Sequence, residues 1–271
     1  MPNLPLKTQD NSRIKSKSRP QGLKLDKWSA LRWGNLLYKH AFPFYRPLYF
    51  LYKSISDRDK ITLLRAHIKP GMKVLDIGAN IGFYTLLLSN LVGPEGRVYS
   101  FEPDPLNFKR LKANSRRFGN VVLNQLACGE KTGKIRLYHS EELNVDHQTY
   151  DGGENRRSLE IDCVSLDGYL KNDEEIDFIK IDIQGYEYFA FKGMQETIRR
   201  SKRVTVLGEL WPYGLQKAGI HYQDFLALLK ALGFELTFFD KREDKNYQNE
   251  ISDKFFHTDF WGVKGDRGLQ S

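Results

Sequence analysis

Five residues, Lys73-Val-Leu-Asp-Ile77, form an apolar β-type run that passes without a break into Gly78-Ala-Asn-Ile-Gly82 and then into a helix-forming stretch over 84–91. Few folds accommodate a strand that ends on two glycines four residues apart and reopens as a helix. Glycine accepts the positive φ of a tight turn and lets the backbone approach a ligand closely, while the first turn of the helix presents N–H groups with no partner inside it. The arrangement predicts the first strand–turn–helix unit of a ligand-binding sheet, with the ligand at the turn.

The pattern then repeats. Apolar, β-branched runs at 97–101, 121–126, 178–183 and 204–209 alternate with helix-like stretches at 105–118, 187–199 and 222–232, which predicts parallel strands with helices on both faces. Runs at 235–239 and 257–264 follow with no helix between them and are expected as an antiparallel C-terminal edge pair, completing a mostly parallel seven-stranded α/β sheet. Short strands at 134–138 and 159–164 flank a polar stretch at 140–157; this insertion (130–165) suits a lid or an acceptor wall. Ahead of the sheet, Ser56 or Asp57 is expected to cap a helix over 60–68, which Pro70-Gly71 stops.

Charge divides the chain in two. The first sixty of its 271 residues hold thirteen Lys and Arg against four Asp and Glu, so the net charge of +8 belongs to the N-terminus and the rest carries about −1. Any polyanion contact is therefore expected at the N-terminus, and nucleic acid is not an expected partner of the main body. Residues 1–27 hold too few large apolar groups to offset chain entropy and are expected to be a disordered basic tail, with 266–271 a C-terminal tail. Residues 28–56 are aromatic and basic together, and Pro43 and Pro47 are expected to break them into pieces. Two readings of that segment stay open: a cover packed on the main domain (57–265), or peripheral membrane contact through 28–53. No run approaches the roughly 18 apolar residues of a membrane span, and no cleaved signal layout is present. Cys128 and Cys163 form neither a disulfide framework nor a metal-type pair. A cytoplasmic location is expected, membrane-peripheral if 28–53 makes that contact.

The glycine turn does not match dinucleotide binding, because Ala79 and Asn80 occupy the positions between the glycines where G-x-G-x-x-G requires another. Asp76, two residues ahead of Gly78, suits a ligand that lacks pyrophosphate but carries positive charge, as S-adenosylmethionine does on its ammonium and sulfonium. Glu102 ends the next strand, twenty residues after Gly82, where a carboxylate accepts from both ribose hydroxyls. Ala127, after the third strand, is the expected place for a backbone contact to adenine. The expected cofactor set is Asp76, Gly78, Asn80, Gly82, Glu102, Ala127 and Asp182.

Three ordered motifs, Val74–Thr85, Phe101-Glu102-Pro103 and Lys180-Ile-Asp182-Ile-Gln184-Gly185-Tyr-Glu187, resemble those of the FkbM methyltransferases, over roughly Met72 to Val263. The resemblance implies a Rossmann-like class I methyltransferase fold, S-adenosylmethionine as cofactor, and O-methylation of a sugar, glycan or related small molecule. One position departs: the family usually has Glu where this chain has Gln184, and an amide cannot serve as a base or strong metal ligand.

Methyl transfer to a hydroxyl needs alignment and a base. Asp182, at the end of the fourth strand, is the first candidate base, with Glu209 at the end of the fifth and His147 in the insertion as further catalytic candidates. Asp182 and Glu209 together offer a divalent cation two oxygen ligands. Trp211 and Tyr213 are candidates for a stacking floor under a sugar ring. Two other functions stay open: an RNA methyltransferase using the basic N-terminus, and a binding module of the same fold without turnover.

Overall fold

The computed structural model describes residues 27–138, 158–170, 174–240 and 246–265, with side chains from residue 34 onward. Three helices precede the sheet: α1 (Lys27–His40), α2 (Phe42–Ser56) and α3 (Arg58–His67). Then come β1 (Lys73–Ile77), α4 (Phe83–Val92), β2 (Arg97–Phe101), α5 (Pro105–Ser115) and β3 (Val121–Asn124). A side unit of β4 (Ala127–Cys128), β5 (Gly133–Tyr138) and β6 (Ser158–Val164) leads through α6 (Leu166–Tyr169) back to β7 (Phe178–Ile181). The chain continues as α7 (Glu187–Lys192), α8 (Gln195–Arg200), β8 (Val204–Leu210), α9 (Pro212–Lys217), α10 (Tyr222–Ala231), β9 (Glu235–Phe238) and β10 (Thr258–Lys264).

The main sheet has seven strands in the order β3-β2-β1-β7-β8-β10-β9, with β10 antiparallel to both its neighbours. This is the expected class I methyltransferase architecture. Strands run outward from β1 to β3, and the chain then returns to the other side of β1 as β7. The strand order reverses between β1 and β7, and in open parallel sheets a crevice opens beyond the strand ends at such a switch point. The glycine turn after β1 and the loop after β7 both lie there.

The pleat decides what faces each side. Leu75, Ile77, Tyr99, Phe101, Ile179 and Ile181 pack with α7, α8 and α10, while Val74, Val98 and Phe178 pack with α3 and α4. Asp76, Ser100 and Lys180 are in register across β2, β1 and β7. They share a face with Val74, Val98 and Phe178, so a polar row interrupts that apolar face just below the crevice.

Local signals account for most boundaries and for the departures from expectation. Asp104 caps α5 by accepting the Asn107 N–H at 2.7 Å, and Pro105 sits where no N–H is needed. The third strand ends at Asn124, short of Leu126, because the chain crosses to the second sheet, where β4 pairs with β6. Pro43 and Pro47 do not fragment the N-terminal segment: the break falls at Ala41, Pro43 occupies the first turn of α2, and Pro47 lies inside the helix. The helix expected over 187–199 is two helices parted at Gly193-Met194. A Cβ on Gly193 would lie 1.9 Å from the Gly129 carbonyl oxygen, so the break packs directly on the turn after β4.

Gly193→Ala is expected to destabilise the fold by about 3 kcal/mol, since backbone must move to admit the methyl. Gly34→Ala, in α1 with nothing within 4 Å of the added carbon, is expected to be neutral or to stabilise by up to about 1 kcal/mol. Urea denaturation of the two variants checks the contrast, and equal midpoints would contradict it.

Candidate active site

The turn after β1 is wound by left-handed residues: Gly78, Asn80 and Gly82 have φ of 81°, 51° and 96°. Asn80 tolerates that conformation because its own Oδ1 accepts the Ile81 N–H at 2.7 Å. Glycine is needed for packing as well as for the turn. A Cβ on Gly78 would fall 2.0 Å from the Asp182 carbonyl oxygen, and one on Gly82 would fall 2.8 Å from Leu111 Cδ1. The loop is thus pressed against the end of β7 on one side and α5 on the other, and Gly82 leads directly into α4.

Glu102 ties this loop to β2. Its Oε2 accepts the Asn80 N–H at 2.7 Å and its Oε1 the Asp104 N–H at 3.0 Å. Burial raises its pKa to about 7 against these two hydrogen bonds, which pull it down. The Asn107 side chain adds a third hydrogen bond that also lowers it, which leaves the carboxylate about one further acceptor direction.

Asp76 is fully buried beneath the turn. Its Oδ2 accepts from the Thr85 hydroxyl at 2.5 Å, while its Oδ1 has no hydrogen-bond partner and lies 3.8 Å from Lys180 Nζ. Burial raises its pKa, opposed by Lys180 and Thr85. Lys180 Nζ donates to the Gly78 carbonyl at 3.0 Å and lies 3.9 Å from Asp182 Oδ2, so one ammonium serves the buried acid, the glycine turn and the crevice acid. Lys180 stands two residues before Asp182, the spacing that puts both on one strand face. That period was the available sequence signal for its role.

Beyond β7 the backbone turns through Gln184 and Gly185, at φ of 56° and 91°. This aims the Gln184 amide at two carboxylates: Nε2 donates to Asp182 Oδ1 at 3.0 Å and to Glu209 Oε2 at 3.4 Å. The two acids titrate apart. Burial would raise Asp182, but Lys180, Lys53, the Gln184 amide and Lys60 outweigh it and hold its pKa below the usual range. Burial together with Asp182, Glu187 and Asp259 pushes Glu209 well up. Asp182 keeps 41% of its side chain exposed and Glu209 only 15%, so Asp182 is the acid that solvent or an acceptor meets.

A roof of α1 and α2 was not assigned to the site from sequence. Buried Tyr38 donates to Asn107 Oδ1, Arg110 stacks over Tyr38 and Phe42, and Phe50 packs edge-on against Phe83 at the head of α4. Tyr49 has its pKa raised by burial and by Tyr45, Asp182 and Asp57. Asp57, expected as a helix cap, makes no capping bond: its carboxylate accepts the Tyr84 hydroxyl at 2.6 Å and pairs with Lys53.

The remaining candidates fare differently. His147 lies outside the described residues. Ala127 is buried in β4, in register with Cys163. Trp211 is 7% exposed, donates Nε1–H to the Lys254 carbonyl and packs on Gly214, which makes it core; Tyr213 lies against it, half-buried. The divalent cation at Asp182 and Glu209 gains no support: among the described residues no three His, Cys, Asp or Glu side chains gather as a metal site.

Lys180→Met is expected to destabilise the fold by about 3 kcal/mol by leaving Asp76 buried without its cation, with most of the loss recovered when Asp76→Asn is added. A double-mutant cycle in urea measures this; additive losses would contradict the pairing.

A family model described as the methyltransferase FkbM domain matches residues 76–236. Hexuronic acid methyltransferase AglP of Haloferax volcanii is 28% identical over 195 residues, which is 70% of this chain and 75% of that protein. The 31-O-demethyl-FK506 methyltransferase FkbM of Streptomyces tacrolimicus is 35% identical over 91 residues, 32% of this chain and 34% of its own length. Among solved structures, methyltransferase FkbM from Methylobacillus flagellatus aligns at TM-score 0.46 and 20% identity, over 71% of this chain and 43% of that one. The matched region spans more than half of the chain and takes in the glycine turn, Glu102 and the Asp182–Glu187 loop, and the chain belongs to the FkbM family of class I S-adenosylmethionine-dependent methyltransferases.

Proposed function

We propose that the chain methylates a hydroxyl oxygen of a saccharide or a similar polyhydroxyl small molecule. The observation that carries this reading is the Asp182–Gln184–Glu209 bridge, a partly open, ionised carboxylate beside the glycine turn with a neutral amide holding it in place. A carboxylate that stays ionised at the crevice can take up the proton that a hydroxyl acceptor loses. The relatives' names support parts of this reading, one referring to a hexuronic acid, which is a saccharide, and the other to an O-demethylated substrate.

The residues present fit the cofactor. The turn of Gly78, Asn80 and Gly82 forms a cradle, Asp76 keeps a buried oxygen without a donor, and Glu102 keeps acceptor capacity at the end of β2. Asp76, Gly78, Asn80, Gly82 and Glu102 would hold it, with Ala127 offering backbone to the adenine. When bound it supplies a methyl carbon activated by a sulfonium. Asp182 then accepts the proton of the acceptor hydroxyl as that oxygen attacks. Lys180 and the Gln184 amide fix the carboxylate and keep it ionised, and the roof of α1 and α2 limits water around the reacting pair.

Gln184 is thereby a positioning residue. As an amide it donates to both acids, whereas a glutamate there would add a third negative charge. An RNA acceptor fits less well, because residues beyond the first sixty carry about −1.

Asp182→Asn is expected to lower turnover about 10²- to 10⁴-fold while leaving S-adenosylhomocysteine affinity intact. Tritiated-methyl transfer to a panel of saccharides measures this, and full activity in the variant would remove Asp182 from catalysis. Label incorporated by the wild type should survive mild alkali as a methyl ether. Alkali-labile label would mean a carboxylate acceptor and overturn the hydroxyl assignment.

A further inference from the structure

α2 is turned inside out for a helix at the surface of a water-soluble domain. None of its residues is buried, and its apolar side chains point away from the protein: Phe44 is 72% exposed, Leu48 59%, Leu51 60%, Tyr52 64% and Ile55 69%. At 100° per residue these five fall within an arc of about 100°, one continuous apolar stripe. The opposite side carries Phe50 and Lys53, which face the body through the contacts with Phe83, Asp57 and Tyr84. Attachment of α2 to the domain therefore uses the polar and aromatic face, and the stripe is left unpartnered. Scattered exposed apolar residues need no explanation, but five in a row on one helix face do.

Charge selects the occupant. From Lys27 to Ser56 there is no Asp or Glu, while five Lys and Arg and nine aromatic residues fall in those thirty positions. The 26 residues ahead of α1 add six basic against two acidic side chains. A second copy of the chain would bring two cationic faces together, whereas an anionic lipid surface offers apolar depth for the stripe and phosphates for the cations. Among the described residues no helix is long and apolar enough to cross a membrane, so α2 lies along such a surface and does not span it.

We propose that α2 docks the protein on an anionic lipid bilayer, with Phe44, Leu48, Leu51, Tyr52 and Ile55 in the headgroup boundary. The docked helix packs at the head of α4, beside the glycine turn, through Phe50 against Phe83 and Lys53 over Tyr84. Docking thus sets the candidate active site directly beneath the membrane surface. This inference does not depend on the acceptor proposed above.

The test is co-sedimentation of the full chain with vesicles of phosphatidylcholine alone and of phosphatidylcholine mixed equally with phosphatidylglycerol. Binding is expected to the anionic vesicles, and Leu48→Glu/Leu51→Glu/Ile55→Glu is expected to lower the vesicle partition coefficient at least about tenfold. Because these side chains point into solvent, the variant should keep the wild-type melting temperature and S-adenosylhomocysteine affinity. Equal binding by wild type and variant would overturn the proposal, since basic charge alone would then account for it. So would a wild type that ignores both vesicles and elutes as a dimer that the variant converts to monomer, because a second copy would then cover the stripe.

Discussion

Asp76 sits at 0% exposure in β1, an interior strand of the sheet, and the crevice depends on how its charge is met. A lone buried carboxylate is costly in a low-dielectric interior, and this one is met by the Thr85 hydroxyl and the Lys180 ammonium. Both partners also perform a second task. Thr85 belongs to the first turn of α4 and so joins the helix to the strand beneath it, while Lys180 reaches the Gly78 carbonyl and Asp182. The glycine turn, the head of α4 and the end of β7 are thereby fixed to one another through a single row of polar side chains. Asp76, Ser100 and Lys180 in that row are supplied by the register of three adjacent strands, and Thr85 by the helix above them.

The same economy shapes the crevice above. Glu102 pins the turn from the β2 side through the Asn80 N–H, and Gln184 pins Asp182 and Glu209 from the β7 and β8 side. The outcome is two acids of opposite character within reach of one amide: Asp182 held ionised by nearby cations, Glu209 pushed toward its neutral form by burial and by Asp182 itself. Pairs of titratable groups driven apart in this way are a common mark of acid–base chemistry. Lys53 and Lys60, which help to hold Asp182 ionised, come from α2 and α3, so the N-terminal helices contribute electrostatically as well as sterically.

The sheet and the glycine turn after its first strand were legible because each rests on short-range pattern. Asp76, Gly78 and Gly82 announce themselves by spacing within seven residues, and Glu102 by its place at the end of the next apolar run. What those residues touch was not legible, since Asp76 meets Lys180 104 positions away and no local rule fixes that register. Asp57 shows the opposite failure: it looks like a helix cap, yet the distant Tyr84 hydroxyl and the adjacent Lys53 claim its carboxylate. The break at Gly193 was hidden for a similar reason, because the residue that forbids a side chain there is Gly129, in the distant turn after β4. Gln184 was read from sequence as a loss relative to the family. That an amide there can hydrogen-bond was legible as well, but its two partners, Asp182 and Glu209, were not, since Glu209 stands 25 positions away on another strand.

In the proposed function the glycine turn and Glu102 together hold the adenosyl part of the cofactor. Calorimetric titration with S-adenosylhomocysteine from about pH 5.5 to about pH 8 tests it most directly, because the ligand's own amino group stays charged over that range. Ribose hydroxyls donate to the ionised carboxylate, and the Glu102 pKa in the free protein is raised to about 7. Affinity should therefore be highest at the alkaline end and fall by up to about tenfold per unit below pH 7, and Glu102→Gln should bind more weakly with a nearly flat profile. An affinity that ignores pH, or a Glu102→Gln variant indistinguishable from the wild type, would remove Glu102 from the ribose site.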